Sequence, residues 1–223
     1  SVGSIEKIKN VANIIEGFRK KKLKVIVVSS AMSGVTNDLV KKSKEISESF
    51  AEAEYDVLVS SGEQVACSLI AGRLIHKGYK SRSWLAWQIP ILTQGPHKHS
   101  RINLIVKNNL LDYLKKGGIP IITGFQGINN NQRVSTIGRG GSDASAIMIA
   151  RFFKADKCII YTDVEGVYTT DPNKLKKAKK IKIISYEEML EMASLGAKVL
   201  QTRSVETAMN NDVVLRVLSS FSD

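Results

Sequence analysis

The sequence predicts an α/β protein, a three-layer αβα sandwich with a mainly parallel central sheet. Short apolar runs alternate with stretches of helical spacing along nearly the whole chain. Several of these runs are continuous rather than alternating, as in strands covered on both faces. They end in small polar clusters: Ser29 to Thr36, Ser60 to Glu63, Gly124 with Phe125, and Thr162 with Asp163. Ligands of such sheets bind beyond the carboxyl ends of the strands, so the clusters point to one long cleft.

The elements follow in chain order. Over residues 4–18, Ile5, Ile8, Val11, Ala12 and Ile15 recur at helical spacing. Val25 to Val28 reads as a fully buried strand that runs into a Ser/Gly loop. "DVLVSSGE" repeats that design, with a strand, then Ser60, Ser61, Gly62 and Glu63, then a helix from Gln64 to His76. "KSRSWLAW" alternates like a strand, and "RINLIVKNNLLDYLKKGG" reads as a helix closed by Gly117 and Gly118. "IPIITGF" is a further buried strand, and "INNNQRVST" a hairpin with a polar tip. Ala146, Ile149, Ala150 and Phe153 share one face of the next helix, and "CIIYTD" is a strand with a polar end. A short strand near Ile181 to Ile184, a helix from Tyr186 and a final strand "VVLRVL" complete the chain. No internal repeat, low-complexity segment or linker interrupts the series.

The 223 residues suffice for one large α/β domain or two intimate lobes. A content of 43% hydrophobic and 24% charged residues is that of a soluble globular protein. No apolar run is long enough to span a bilayer, and no secretory signal opens the chain. Cys67 and Cys158 lie in apolar contexts and read as buried free thiols of a cytoplasmic protein. The net charge of +12 is spread over helix faces, apart from six lysines between Lys174 and Lys182. No aromatic residue interleaves with that run, so it reads as a solvated or phosphate-attracting surface rather than a nucleic-acid platform.

Walker A, G-x-G-x-x-G, H-E-x-x-H, C-x-x-C and G-x-S-x-G motifs are absent from the sequence. His97 and His99 have no acidic or thiol neighbour in sequence and read as an exposed loop pair, so no metal site is expected. "GRGGSD" supplies other tools. Gly138, Gly140 and Gly141 let the backbone approach a ligand. Ser142 or Asp143 can cap the helix that follows, and Arg139 can grip a carboxylate with two parallel bonds. Asp143 suits the orientation of a reacting group or a metal-bound phosphate. The same residues also suit a plain cap after a flexible turn. Glu63 either accepts a substrate ammonium or merely complements a helix dipole. "TDVEGVYTTDP" either holds a purine nucleotide or is a turn-rich connector.

Taken together, these stretches carry a resemblance. "SVGSIEKI", "VSSAMSGVT", "SSGEQVA", "TGFQG", "GRGGSDASA", "YTDVEGVYTTDP", "EEMLEMASLGAKVL" and "LRVLSSFS" stand in the order seen in the aspartate kinases of the amino acid kinase family. The chain resembles that family over nearly its whole length. Glutamate, carbamate, acetylglutamate and uridylate kinases share the fold, but "SSGE" combined with "GRGGSD" resembles aspartate kinase.

The resemblance implies transfer of a phosphoryl group from ATP, with Mg²⁺ on its phosphates, to the side-chain carboxylate of L-aspartate. The product is 4-phospho-L-aspartate, which opens lysine, threonine, methionine and diaminopimelate synthesis. It implies an amino-acid-binding lobe over 1–142 and a nucleotide-binding lobe over 143–223. Arg139 would bind a carboxylate of aspartate and Glu63 its amino group, with Ser30 and Thr36 lining the pocket and Phe125 as an apolar wall. Gly140, Gly141, Ser142 and Asp143 would surround the reacting carboxylate, with Arg139, Ser142 and Asp143 as the catalytic set. Thr162, Asp163, Tyr168, Asn173 and Lys198 would contact the nucleotide, together with Ser1.

Three departures stand out. The family's opening motif, Lys-Phe-Gly-Gly-Thr-Ser, survives only as Ser1, which implies a trimmed and, as it stands, inactive chain. Asn173 replaces the usual arginine after Asp-Pro. The chain stops where relatives continue into ACT domains, which bind the feedback inhibitor. A homodimer is the expected assembly of the full-length protein. Another kinase of this fold, or a non-catalytic subunit, is the alternative.

Overall fold

The computed structural model describes residues 2–162, 164–170, 175–196 and 199–220. The chain divides into two units, residues 1–146 and 147–223.

In the first unit, α1 (Ile5–Lys20) starts at Ser4, whose hydroxyl accepts the Lys7 amide at 3.2 Å. Glu6 lies in its first turn and Arg19 and Lys20 in its last, as the helix dipole favours. Ile8, Ala12 and Ile15 form its buried stripe. They meet Ala66, Cys67, Ile70, Ala71 and Leu74 of α3 (Glu52–His76) and Ile119 and Ile121 of β5 (Ile119–Thr123). Each of the large side chains in this core contributes about 1.5–3 kcal/mol by leaving water. β5 lies between β1 (Val27–Ser29) and β2 (Ser81–Trp84), parallel to both. A second sheet runs β4 (Arg101–Ile105), β3 (Ile91–Gln94), β6 (Gln126–Ile128), β7 (Val134–Thr136). Its β3–β6 pair is parallel, and its β3–β4 and β6–β7 pairs are antiparallel. α2 (Val35–Ile46) and α4 (Asn108–Lys115) complete the unit.

In the second unit, which receives the C-terminal part of α5 (Gly141–Phe153), β8 (Cys158–Thr162) and β9 (Leu215–Ser219) pair in parallel. α6 (Tyr186–Ser194) opens on a complete capping box between Ser185 and Glu188. α7 (Thr202–Asn210) precedes β9. Each unit holds one buried cysteine, Cys67 in the first and Cys158 in the second, and no disulfide joins them. No helix of the described residues is long and apolar enough to cross a membrane.

The α/β class and the mainly parallel pairing follow the sequence reading. Four elements differ. "DVLVSSGE" lies entirely within α3, with no strand before Gln64. A four-residue apolar run cannot be told from a buried helical turn by periodicity. The serines stay helical by donating their hydroxyls back to carbonyls one turn earlier, Ser60 to Val57 at 3.0 Å and Ser61 to Leu58 at 2.7 Å. Residues 101–116 are not one helix: β4 pairs with β3, and only Asn108–Lys115 coils. Ile181 to Ile184 is not a strand, since pairing there is a single bridge between Tyr168 and Lys180. Val25 to Val28 is half-buried rather than fully buried.

Candidate functional site

The candidate site of the first unit is built at the carboxyl ends of β1 and β5. β1 ends at Ser29, and the exposed Ser30 and half-buried Ala31 follow. Gly62 of α3 lets this loop press onto the helix: a Cβ there would stand 2.8 Å from the Ala31 Cβ and 3.1 Å from a Val35 methyl. The Ala31 amide thereby donates to Glu63 Oε1 at 3.1 Å. Thr36 follows Val35 in the first turn of α2, whose N-cap is Gly34 with no side-chain bond.

Glu63 is only 3% exposed. Its Oε2 is buried and has no hydrogen-bond partner among the described residues. Burial pushes its carboxyl up to about 7, and the Ala31 amide opposes that rise only in part. Glu63 lies in the middle of α3 rather than at a helix start, so the helix-dipole explanation of its position does not apply.

The end of β5 meets the start of α5. The Gly124 amide donates to the Ser29 carbonyl at 3.0 Å, and a Cβ on Gly124 would stand 2.9 Å from the Ser142 Cβ. Phe125 has φ +67°, an uncommon conformation for a bulky residue. It is held from both sides. Its amide donates to Ser145 Oγ at 3.0 Å, and its carbonyl accepts the Ile137 amide at 2.9 Å. Ser145 Oγ also donates to the Gly141 carbonyl at 2.8 Å. Arg139 is exposed on a turn between Gly138 and Gly140, whose φ values of +86° and +70° suit glycine. α5 begins at Gly141, so Ser142 and Asp143 occupy its first turn rather than its cap. Burial raises Asp143 to about 6.

These bonds and approaches link the Ser29–Ala31 segment, Glu63, Phe125, Gly141 and Ser142 of the predicted set. Arg139, Gly140 and Asp143 are contiguous with them in chain. His97 is not the partnerless loop residue that its sequence neighbours suggest. Its Nδ1 donates at 2.6 Å to Asp56, which lies on a distant helix. Asp56 escaped the sequence reading because "DVLVSSGE" was read as a strand, which places Asp56 and Glu63 on separate elements.

In the second unit, Thr162 ends β8. Its hydroxyl donates to the Val164 carbonyl at 2.9 Å and accepts the Val164 amide at 3.1 Å. Its carbonyl accepts both the amide and the hydroxyl of Ser220, at 2.9 and 3.0 Å. Tyr168 donates its phenol to Glu165 at 3.1 Å, a bond that raises its pKa. Ser1, Asp163, Asn173 and Lys198 lie outside the described residues. Among the described residues no three His, Cys, Asp or Glu side chains are placed to hold a metal ion.

Parallel strands with polar carboxyl ends, a buried carboxylate oxygen and a glycine-flanked arginine thus stand together on an α/β fold. The chain belongs to the amino acid kinase family, whose model matches residues 1–219. Within it, the aspartokinase of Rickettsia felis is 50% identical over 225 residues, covering 100% of this chain and 56% of that protein. An aspartate kinase structure from Synechocystis superposes with a TM-score of 0.87 at 40% identity, covering 100% of this chain and 37% of that one. E. coli aspartokinase III in complex with aspartate and ADP superposes with a TM-score of 0.84 at 26% identity, covering 99% of this chain and 60% of that one. The chain spans about half the length of the curated relatives it matches.

Proposed function

We propose that this chain carries the catalytic apparatus of an aspartate kinase. It transfers the γ-phosphoryl group of ATP to the side-chain carboxylate of L-aspartate. A carboxylate oxygen forms the new O–P bond as the bond to the β-phosphate oxygen breaks, which gives 4-phospho-L-aspartate and ADP. The observation that carries this reading is the unsatisfied, buried Oε2 of Glu63. A desolvated carboxylate oxygen with no partner is costly, and an ammonium group supplies what it lacks. The E. coli relative, captured with aspartate and ADP, supports the same ligands.

In this reading Glu63 holds the substrate ammonium and Arg139 its other carboxylate, with Ser30, Thr36 and Phe125 shaping the pocket. Gly140, Gly141, Ser142 and Asp143 surround the reacting carboxylate, and Asp143 orients it. We assign amino-acid binding to residues 1–142 and nucleotide binding to 143–223. Thr162 and Tyr168 contact the nucleotide there, together with Ser1, Asp163, Asn173 and Lys198. Mg²⁺, held through the nucleotide phosphates, would supply charge neutralisation there. Burial raises the Asp143 carboxyl to about 6, and a cationic neighbour would favour its charged form and offset that rise. Catalysis then rests on positioning and charge stabilisation, with no covalent enzyme intermediate. A cytoplasmic homodimer is the assembly we assign.

The test is a coupled ADP-release assay on the full-length protein with a panel of acceptors. Turnover with L-aspartate, and not with glutamate, carbamate or UMP, is expected. Preference for another acceptor overturns the reading.

A further inference from the structure

Asp56 has no part in the proposed chemistry, yet it is wholly buried on the same face of α3 as Ser60 and Glu63. Its carboxylate accepts the Thr136 amide at 3.0 Å, the Thr136 hydroxyl at 2.6 Å, the Lys98 amide at 3.2 Å and His97 Nδ1–H at 2.6 Å. Four donors use the full acceptor capacity of a carboxylate, which lets the charge remain buried. His97 is steadied in turn by Asn129 at 3.5 Å from its Nε2. Two segments distant in sequence, the 97–98 loop and the end of β7, are therefore tied to one side chain.

Thr136 is the last residue of β7 and stands just ahead of the arginine turn. Ile137 follows, fixed by its amide to the Phe125 carbonyl. The turn itself, with Gly138 and Gly140 at φ +86° and +70°, is closed by the Gly141 amide donating to the Gly138 carbonyl at 2.9 Å, a bond internal to the turn that does not set where the turn stands. Its starting point must be set upstream, and Asp56 holds that point through both the backbone and the side chain of Thr136. Asp56 and Glu63 are two turns apart on one rigid helix, about 10 Å along its axis.

We propose that Asp56 is a positioning residue for substrate recognition. By anchoring Thr136 it sets the distance between the Arg139 turn and Glu63, the groups that read the two charged ends of the amino-acid substrate. This rests on the roles given to Arg139 and Glu63 above. Loosening the anchor weakens the amino acid and spares ATP, because misplacement of a recognition group by about 1 Å costs up to about a hundredfold.

The test uses Asp56→Asn, which keeps the shape but turns a carboxamide NH₂ toward groups that are themselves donors, and Thr136→Val, which deletes only the hydroxyl donor. In the full-length protein, Asp56→Asn is expected to raise the aspartate KM about tenfold or more, with ATP KM and kcat changed less than about threefold. In an Arg139→Ala background the same change adds little, since the group it positions is gone. Hydrogen exchange is expected to quicken at amides 136–141 and to stay unchanged in β5. An aspartate KM within twofold of wild type, penalties that add fully in the double variant, or exchange that quickens uniformly overturns the proposal. If Asp56→Asn does not fold, Thr136→Val is read by the same criteria with smaller shifts. If the wild type does not use aspartate, the functional reading fails, while the local exchange pattern still decides whether Asp56 anchors the turn.

Discussion

Glu63 sits near its own titration point, and this has opposite consequences for the empty and the occupied protein. Burial raises its carboxyl to about 7. A group raised on folding stabilises the fold while protonated and loses that contribution as pH climbs through its folded pKa. Between about pH 5 and about pH 8 the ligand-free protein should therefore lose up to about 3 kcal/mol at this residue. Glu63→Gln removes the charge, so thermal melts should show the variant more stable than wild type at the alkaline end and no better at the acidic end. Aspartate binding should run the other way, strengthening in wild type as pH rises to about 7.5 and losing that dependence in Glu63→Gln. Arg139 offers a simpler case. Loss of its charge-assisted bonds in Arg139→Ala should cost about 2 kcal/mol, or about thirtyfold in aspartate KM, with ATP KM little changed. An unmoved aspartate KM contradicts the role. Both residues could be singled out in sequence only through the order of motifs around them, because each alone also suits a plain structural role. Asp56 was not legible, since its partners lie 41 to 80 residues away.

At the scale of elements, α3 organises the first unit. One face carries Cys67, Ile70 and Leu74 into the core, and its N-terminal half carries Asp56, Ser60 and Glu63. Ser60 also accepts Gln126 Nε2 on its carbonyl at 2.9 Å, which ties β6 to the helix. Truncation should be costly here. Leu74 is fully buried, and Leu74→Ala should destabilise the protein by about 2–5 kcal/mol in urea melts. A loss under about 1 kcal/mol would mean that the site collapses around the cavity. The helix also shows where sequence pattern stops being informative. α1, α6 and β5 have clean caps or unbroken apolar runs and were readable. α3 mixes a Val-Leu-Val run with serines, and its identity is decided by back-bonding and by β7 and α1 packing against it. α2, β3 and α7 went unread and β4 was read as helix, because their pairing partners or buried faces are set by tertiary contacts rather than by a local period.

Across the molecule, the +12 charge and the family membership fit a protein that handles anionic ligands. The division into two units gives the cysteines a use that has no bearing on catalysis. Cys67 is 0% exposed and Cys158 is 8% exposed, and burial pushes the Cys67 thiol well above its ordinary range. Cys67 is closed to an alkylating reagent until the surrounding unit opens, and Cys158 is largely covered. The second unit is smaller and buries less. In rising urea, iodoacetamide should therefore mark the Cys158 peptide before the Cys67 peptide, as read by mass spectrometry. The reverse order would mean that the larger unit yields first. Two silent thiols, one in each unit, thus let a single labelling experiment time the loss of each half of the chain separately, without an added probe.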